Sequence, residues 1–187
     1  AGADAVKFQL YRAENLYVKD AGFADYLGTK KSIYSIIKEM ELPFEWLEKL
    51  KIYCDEKEIM FLCTPFDEYA ADALEDIGID AYKIASYTIT HIPLLKYIAR
   101  KQKPLILSTG ASTMNDIKLA LDAIYSEKNN QVSLMQCTAR YPAPIETINL
   151  RAIPELRKRF KVPVGLSDHS RDHLVAPLGA VCLGAST

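Results

Sequence analysis

Short apolar runs alternating with longer amphipathic segments constrain this chain more than any other feature. Six runs read as strands: Ala5–Gln9, Ile59–Thr64, Ala81–Ala85, Leu105–Thr109, Val132–Thr138 and Val162–Asp168. Most are nearly continuously apolar, as expected for a parallel sheet covered on both faces. Helical spacing fills the intervals. Ile33, Ile36, Ile37 and Met40 share a face, as do Phe44, Leu47, Leu50 and Cys54. Tyr69, Ala73 and Ile77 follow, then Ile92, Leu95 and Ala99, then Ile117, Leu121 and Ile124, then Ile153, Leu156 and Phe160. Thr113 before Met114-Asn115-Asp116 predicts a capped helix start, Asn129-Asn130 its end, and Gly78 the end of the helix before Ala81. Strand, helix, strand in repetition means right-handed βα units. A doubly wound sheet and a (β/α)8 barrel both fit this order. No G-x-G-x-x-G follows the first strand and no G-x-x-x-x-G-K-[ST] occurs, which removes the main nucleotide-binding signals.

Composition narrows the function classes. The 187 residues are 49% hydrophobic and 25% charged, enough for a substantial core and unlike a disordered chain. Lys and Arg number 23 against 24 Asp and Glu, for a formal net charge of -1, so no global field gathers nucleic acid or an anionic membrane. The longest apolar stretch, Leu174–Ser186, is too short to span a bilayer and holds Pro177, Gly179 and Gly184. Ala1-Gly2-Ala3-Asp4-Ala5 shows no basic start followed by an apolar run, so a cytoplasmic protein is expected. Cys54, Cys63, Cys137 and Cys182 form no C-x-x-C pair and read as four buried free thiols.

Every strand finishes in groups that hydrogen-bond or carry charge. The first carries Lys7 and Gln9 on one side, and the second ends in Thr64. The third carries Lys83 and ends at Ser86, and the fourth ends Ser108-Thr109-Gly110. The fifth carries Gln136 and Thr138, with Tyr141 beyond, and the sixth ends Ser167-Asp168-His169. In parallel βα folds these ends form the ligand-binding rim. Lys7 and Lys83 sit inside apolar runs, and a buried ammonium needs an anion or strong hydrogen-bonding partners. Two lysines, hydroxyls and a Ser-Thr-Gly turn point to a phosphate or carboxylate. A Schiff base on Lys83 is the competing chemistry. Among the three histidines, His169 is the candidate metal ligand or acid–base group, while His91 reads as a surface or capping residue.

In order along the chain stand Ala3-Asp4-Ala5-Val6-Lys7-Phe8-Gln9, Thr64-Pro65-Phe66-Asp67, Tyr82-Lys83-Ile84-Ala85-Ser86, Leu107-Ser108-Thr109-Gly110, Cys137-Thr138-Ala139-Arg140-Tyr141-Pro142-Ala143-Pro144 and Gly165-Leu166-Ser167-Asp168-His169. Together they resemble the sialic acid synthase family, which includes N-acetylneuraminate, legionaminate and pseudaminate synthases and the related spore coat polysaccharide synthesis proteins. Ala139-Arg140-Tyr141, and Thr88 where an acidic residue is usual, bring the chain nearest the spore coat branch. The resemblance implies a TIM (β/α)8 barrel. It also implies condensation of phosphoenolpyruvate with an amino-sugar aldehyde, releasing phosphate. Lys7, Lys83 and His169 would be catalytic. Gln9, Thr64, Ser86, Ser108, Thr138, Tyr141, Ser167 and Asp168 would contact substrates, with Gln9 and Tyr141 on the sugar. His169 would be one of two histidines on Mn2+ or Mg2+.

The resemblance begins at the family's second barrel strand, and barrels of this kind need about 250 residues. Residues 1–187 are therefore expected to be a partial barrel of about six βα units, without the family's first and last strands or its C-terminal antifreeze-like (SAF) domain. The full-length enzyme is expected to be a homodimer. The remaining alternatives are a Schiff-base aldolase using Lys83 and an inactive barrel fragment that only binds anions or a partner.

Overall fold

A computed structural model describes residues 2–23 and 31–187. They divide into two compact units, Ala1–Asp80 and Ala81–Thr187. All six expected strands are present, each within about two residues of its expected ends.

The first unit holds β1 (Ala5–Leu10), α1 (Ala13–Leu16), α2 (Ile33–Glu39), α3 (Leu47–Glu56), β2 (Met60–Pro65) and α4 (Glu68–Asp76). β1 and β2 pair in parallel, with Lys7 opposite Leu62 and Gln9 opposite Thr64. Leu10 and Phe61 are fully buried, and Phe8 stacks on Phe61 with ring centroids 5.3 Å apart. The opposite alternation leaves Lys7 and Gln9 exposed. This corrects the expectation of a buried Lys7: the strand is apolar on one face, and its ammonium lies on the other, in water. In α4 the buried residues are Ala70, Ala71 and Leu74, whereas Tyr69 is 67% exposed. The face expected from Tyr69, Ala73 and Ile77 is thus rotated. The Asp67 carboxylate, which accepts from the Ala70 N–H at 2.7 Å, sets where the helix begins.

The second unit holds β3 (Tyr82–Ile84), α5 (Ile92–Ala99), β4 (Leu105–Ser108), α6 (Met114–Ser126), β5 (Val132–Cys137), α7 (Ala152–Phe160), β6 (Val164–Ser167) and α8 (Val175–Cys182). β3, β4, β5 and β6 pair in parallel and in chain order. Its core joins the strand residues Tyr82, Ile84, Leu105, Leu107, Leu134 and Val164 to the helix residues Leu95, Ile98, Ile124 and Ile153, all fully buried. The expected face of α6 is buried, and on α5 Leu95 and Ala99 are buried as expected while Ile92 is half-buried. Thr113 and Asp116 form a capping box at the start of α6. That helix ends at Ser126, before Asn129, whose buried amide instead bonds the carbonyls of Ala99 and Lys103. His91 caps α5, its Nδ1 accepting from the Leu94 N–H at 3.1 Å.

The outer edge of β6 is occupied. Ser186 N–H donates to the Val164 carbonyl and Leu166 N–H to the Thr187 carbonyl, at 3.0 and 3.1 Å. Gly165 permits this approach, since a Cβ there would lie 2.0 Å from the Thr187 carbonyl oxygen. Cys54, Cys63 and Cys137 are buried free thiols, as expected, but Cys182 is exposed on α8. Burial pushes the Cys63 thiol up to about 12. Among the described residues no helix is long and apolar enough to cross a membrane.

Candidate active site

In the second unit the ends of β3, β4, β5 and β6 bring together a connected set of polar groups. Lys83 is 5% exposed, in a three-residue strand whose every residue is buried. Its ammonium donates to the Ile84 carbonyl at 2.7 Å and to Ser108 Oγ at 2.6 Å.

Ser86 opens a 3-10 turn, Ser86–Thr88, directly after β3. Its hydroxyl accepts from the Gly110 N–H at 3.1 Å and donates to Cys137 Sγ at 3.5 Å. Gly110 has no room for a side chain. A Cβ there would lie 2.9 Å from Ser86 Oγ, 3.0 Å from Cys137 Sγ and 3.2 Å from Ala139 Cβ.

His169 follows β6. Its Nδ1 lies 2.9 Å from the Thr138 carbonyl, an oxygen that can only accept, so Nδ1 carries the proton. In the neutral ring Nε2 then presents its lone pair, the arrangement found in metal-ligating histidines. The Tyr141 hydroxyl donates to Nε2 at 3.3 Å, and the two rings stack with centroids 4.2 Å apart. Desolvation, followed by the neighbouring Cys137 and Tyr87, pushes the Tyr141 phenol up, so it remains a donor at neutral pH.

Other expected contacts point elsewhere. Gln136 donates to the Ile148 carbonyl and Thr138 Oγ1 to the Thr147 carbonyl, at 3.0 and 2.9 Å. Successive strand side chains alternate. With Gln136 and Thr138 turned to the Ile145–Thr147 turn, Cys137 faces Ser86 and His169 instead. Cys137 is the buried free thiol expected from the sequence, and its place beside Ser86 and His169 is what the sequence did not reveal. The signal it held was the position of Cys137 between those two polar residues at a strand end. Asp168 is exposed, its carboxylate accepting from Ser170 N–H and Oγ at 2.9 and 3.0 Å. Ser167 is half-buried, in register with Cys137. Tyr87, beside Ser86, is 70% exposed.

The first unit carries the other expected residues: Lys7 and Gln9 exposed on β1, and Thr64 buried at 1% exposure near the end of β2. Among the described residues, no group of three or more His, Cys, Asp or Glu could hold a metal ion. The donor chemistry fits a divalent ion at one ligand, His169, whose Nε2 lone pair is set by the bond at Nδ1.

Comparison with known proteins identifies the relatives of this chain. The model of the NeuB family matches residues 1–187. The spore coat polysaccharide biosynthesis protein SpsE of Bacillus subtilis is 47% identical over 99% of this chain and 50% of its own length. An N,N'-diacetyllegionaminic acid synthase of Campylobacter jejuni is 37% identical, over 99% of this chain and 57% of its own. The crystal structure of an N-acetylneuraminic acid synthetase from Leptospira borgpetersenii, in complex with citrate, superposes with a TM-score of 0.85. It is 33% identical, over 98% of this chain and 60% of that one. The chain thus spans little more than half the length of these relatives, and its fold class is the partial TIM-type barrel expected from the sequence.

Proposed function

The chain belongs to the NeuB family, and from that membership we propose that it serves the condensation of phosphoenolpyruvate with an amino-sugar aldehyde, giving a sialic-type acid and phosphate. One observation carries the reading. The buried Lys83 ammonium is held to Ser108 at 2.6 Å in the same unit that fixes His169 with its proton on Nδ1. In this reading the ends of β3 and β4 serve as the anion-binding half and the end of β6 as the metal-binding half.

Each residue has a definite task. Lys83 and Lys7 stabilise the phosphate charge as it develops on the leaving group. Ser108 orients Lys83. Ser86 turns its proton from the weak sulfur acceptor Cys137 to a phosphate oxygen, at little cost because thiols accept poorly. Thr64 and Ser167 add hydroxyl donors to the same substrate. Gln9 and Tyr141 address the sugar, while Thr138 holds the Thr147 carbonyl and Asp168 holds Ser170. His169 would hold the divalent ion, Mn2+ or Mg2+, which when bound supplies Lewis-acid chemistry at the aldehyde oxygen.

The bond changes balance without a lysine imine. The methylene carbon of phosphoenolpyruvate bonds to the aldehyde carbon, whose oxygen takes up a proton. Water adds to the former enol carbon and loses a proton. The C–O bond to phosphate then breaks, with the electron pair leaving on phosphate, while the added hydroxyl closes to the ketone and gives up its proton to the phosphate. Residues 1–187 act here as one partial-barrel domain of a longer enzyme that is homodimeric when whole.

In the full-length enzyme, Lys83→Ala should weaken phosphoenolpyruvate binding by on the order of 2–5 kcal/mol in calorimetry, because it strips a buried charge from its partner. Borohydride with a carbonyl substrate should leave Lys83 unmodified. A stable lysine adduct, or unchanged phosphoenolpyruvate affinity in Lys83→Ala, would overturn the reading in favour of an aldolase or of a site elsewhere.

A further inference from the structure

We propose that Cys137 is a positioning residue that couples the anion-binding hydroxyl of Ser86 to the imidazole of His169. Its sulfur touches both. Ser86 Oγ donates to Sγ at 3.5 Å, and Sγ lies 3.9 Å from each nitrogen of the His169 ring. Equal distances to the two nitrogens put the sulfur off both lone-pair directions. The thiol therefore packs against the ring and does not compete for Nε2. The imidazole is held by the Thr138 carbonyl at Nδ1, the Tyr141 hydroxyl at Nε2, the stacked Tyr141 ring and the Cys137 sulfur, among others.

The sulfur is itself confined. Cys137 is 6% exposed at the last residue of β5, in register with Ser167. Gly110 leaves no slack beside it, since a Cβ there would lie 3.0 Å from Sγ. Sulfur is large and polarisable, and accepts hydrogen bonds weakly. It fills the space between two functional groups while holding neither proton strongly. A hydroxyl at this position would be smaller and would grip Ser86 more tightly. A methyl would leave both neighbours with a gap. Ser86 would then have to find another acceptor, and the His169 ring would be freer to turn its proton to the other nitrogen.

The inference rests on the proposed function for the identity of the ligands but not for its geometry, and the test separates the two. The full-length protein, labelled with 15N-histidine, is compared with Cys137→Ala and Cys137→Ser. Long-range proton–nitrogen spectra report the tautomer of each of its histidines, and calorimetry reports phosphoenolpyruvate and Mn2+ affinity. In the wild type His169 should be mainly the Nδ1–H tautomer. Cys137→Ala should mix the tautomers and weaken phosphoenolpyruvate and Mn2+ together, each about 5- to 10-fold. Cys137→Ser should recover only part of the phosphoenolpyruvate affinity, because its hydroxyl keeps Ser86 in place but competes with phosphate for the Ser86 proton. Wild-type tautomer and affinities in Cys137→Ala overturn the inference. So do losses equal in both variants that track only a lowered melting temperature, since that is packing alone. Should Cys137→Ala fail to fold, the serine variant decides. Phosphoenolpyruvate affinity and tautomer altered together support coupling, and either one altered without the other refutes it. A wild type that binds neither ligand, with a tautomer that still shifts in Cys137→Ala, would sink the proposed function and leave the positioning role standing.

Discussion

Gly110 shows how one missing side chain can organise a site. Its N–H feeds the Ser86 hydroxyl, and the space its Cβ would fill is taken by Ser86, Cys137 and Ala139. Gly110→Ala should cost on the order of 1–3 kcal/mol of stability in urea unfolding, through overpacking. It should also weaken phosphoenolpyruvate binding, because the Ser86 oxygen is the nearest atom that can move. Loss of stability with unchanged affinity would show that Ser86 relaxes without consequence. Lys83 was legible in the sequence because a charge inside an apolar run must be explained by its partners. Lys7 looked the same and was misread, because two strands can be equally apolar and still differ in which alternate residues meet the core. Cys137 is the buried free thiol that the sequence suggests, but its neighbours were not legible: the alternation that turns Gln136 and Thr138 to the adjoining loop turns Cys137 to Ser86 and His169.

Among the elements, α6 is the one most fully specified by local chemistry. Thr113 Oγ1 accepts from the Asp116 N–H at 3.2 Å, and the Asp116 carboxylate takes the Thr113 N–H at 2.8 Å. Thr113→Ala should lose about 1 kcal/mol in denaturant unfolding. The Thr113 hydroxyl, followed by its N–H, holds the Asp116 carboxyl below the usual aspartate value. A carboxyl depressed on folding contributes stability above its unfolded pKa and loses it as pH falls through the folded pKa. The penalty of Thr113→Ala should therefore be largest at neutral pH and shrink in acid. An equal penalty on both sides of the aspartate range would show that the carboxylate adds nothing. Helix α4 was legible as a helix but not in its face. Tyr69, Ala73 and Ile77 have helical spacing, yet Ala70 and Leu74 are the residues buried. Spacing states that a face exists, and the packing that buries Ala70, Ala71 and Leu74 decides which one meets the core.

At the scale of the whole molecule, burial sorts chemically identical groups into different fates. Of the four free thiols, Cys182 alone is exposed. An aromatic disulfide reagent should therefore titrate one thiol rapidly in the native chain and the other three only after denaturation. Fast reaction of Cys63 would contradict its burial and its raised pKa of about 12. The sequence by itself determined the order of βα units, the strand positions and the α6 cap, because these depend on neighbours a few residues apart. Through six ordered motifs it also determined the family. Tertiary structure alone decided that Lys83 is buried and Lys7 exposed, that Cys137 lies between Ser86 and His169, and which nitrogen of His169 carries the proton. Those properties depend on atoms tens of residues away in the chain, and no local pattern encodes which of them will be adjacent.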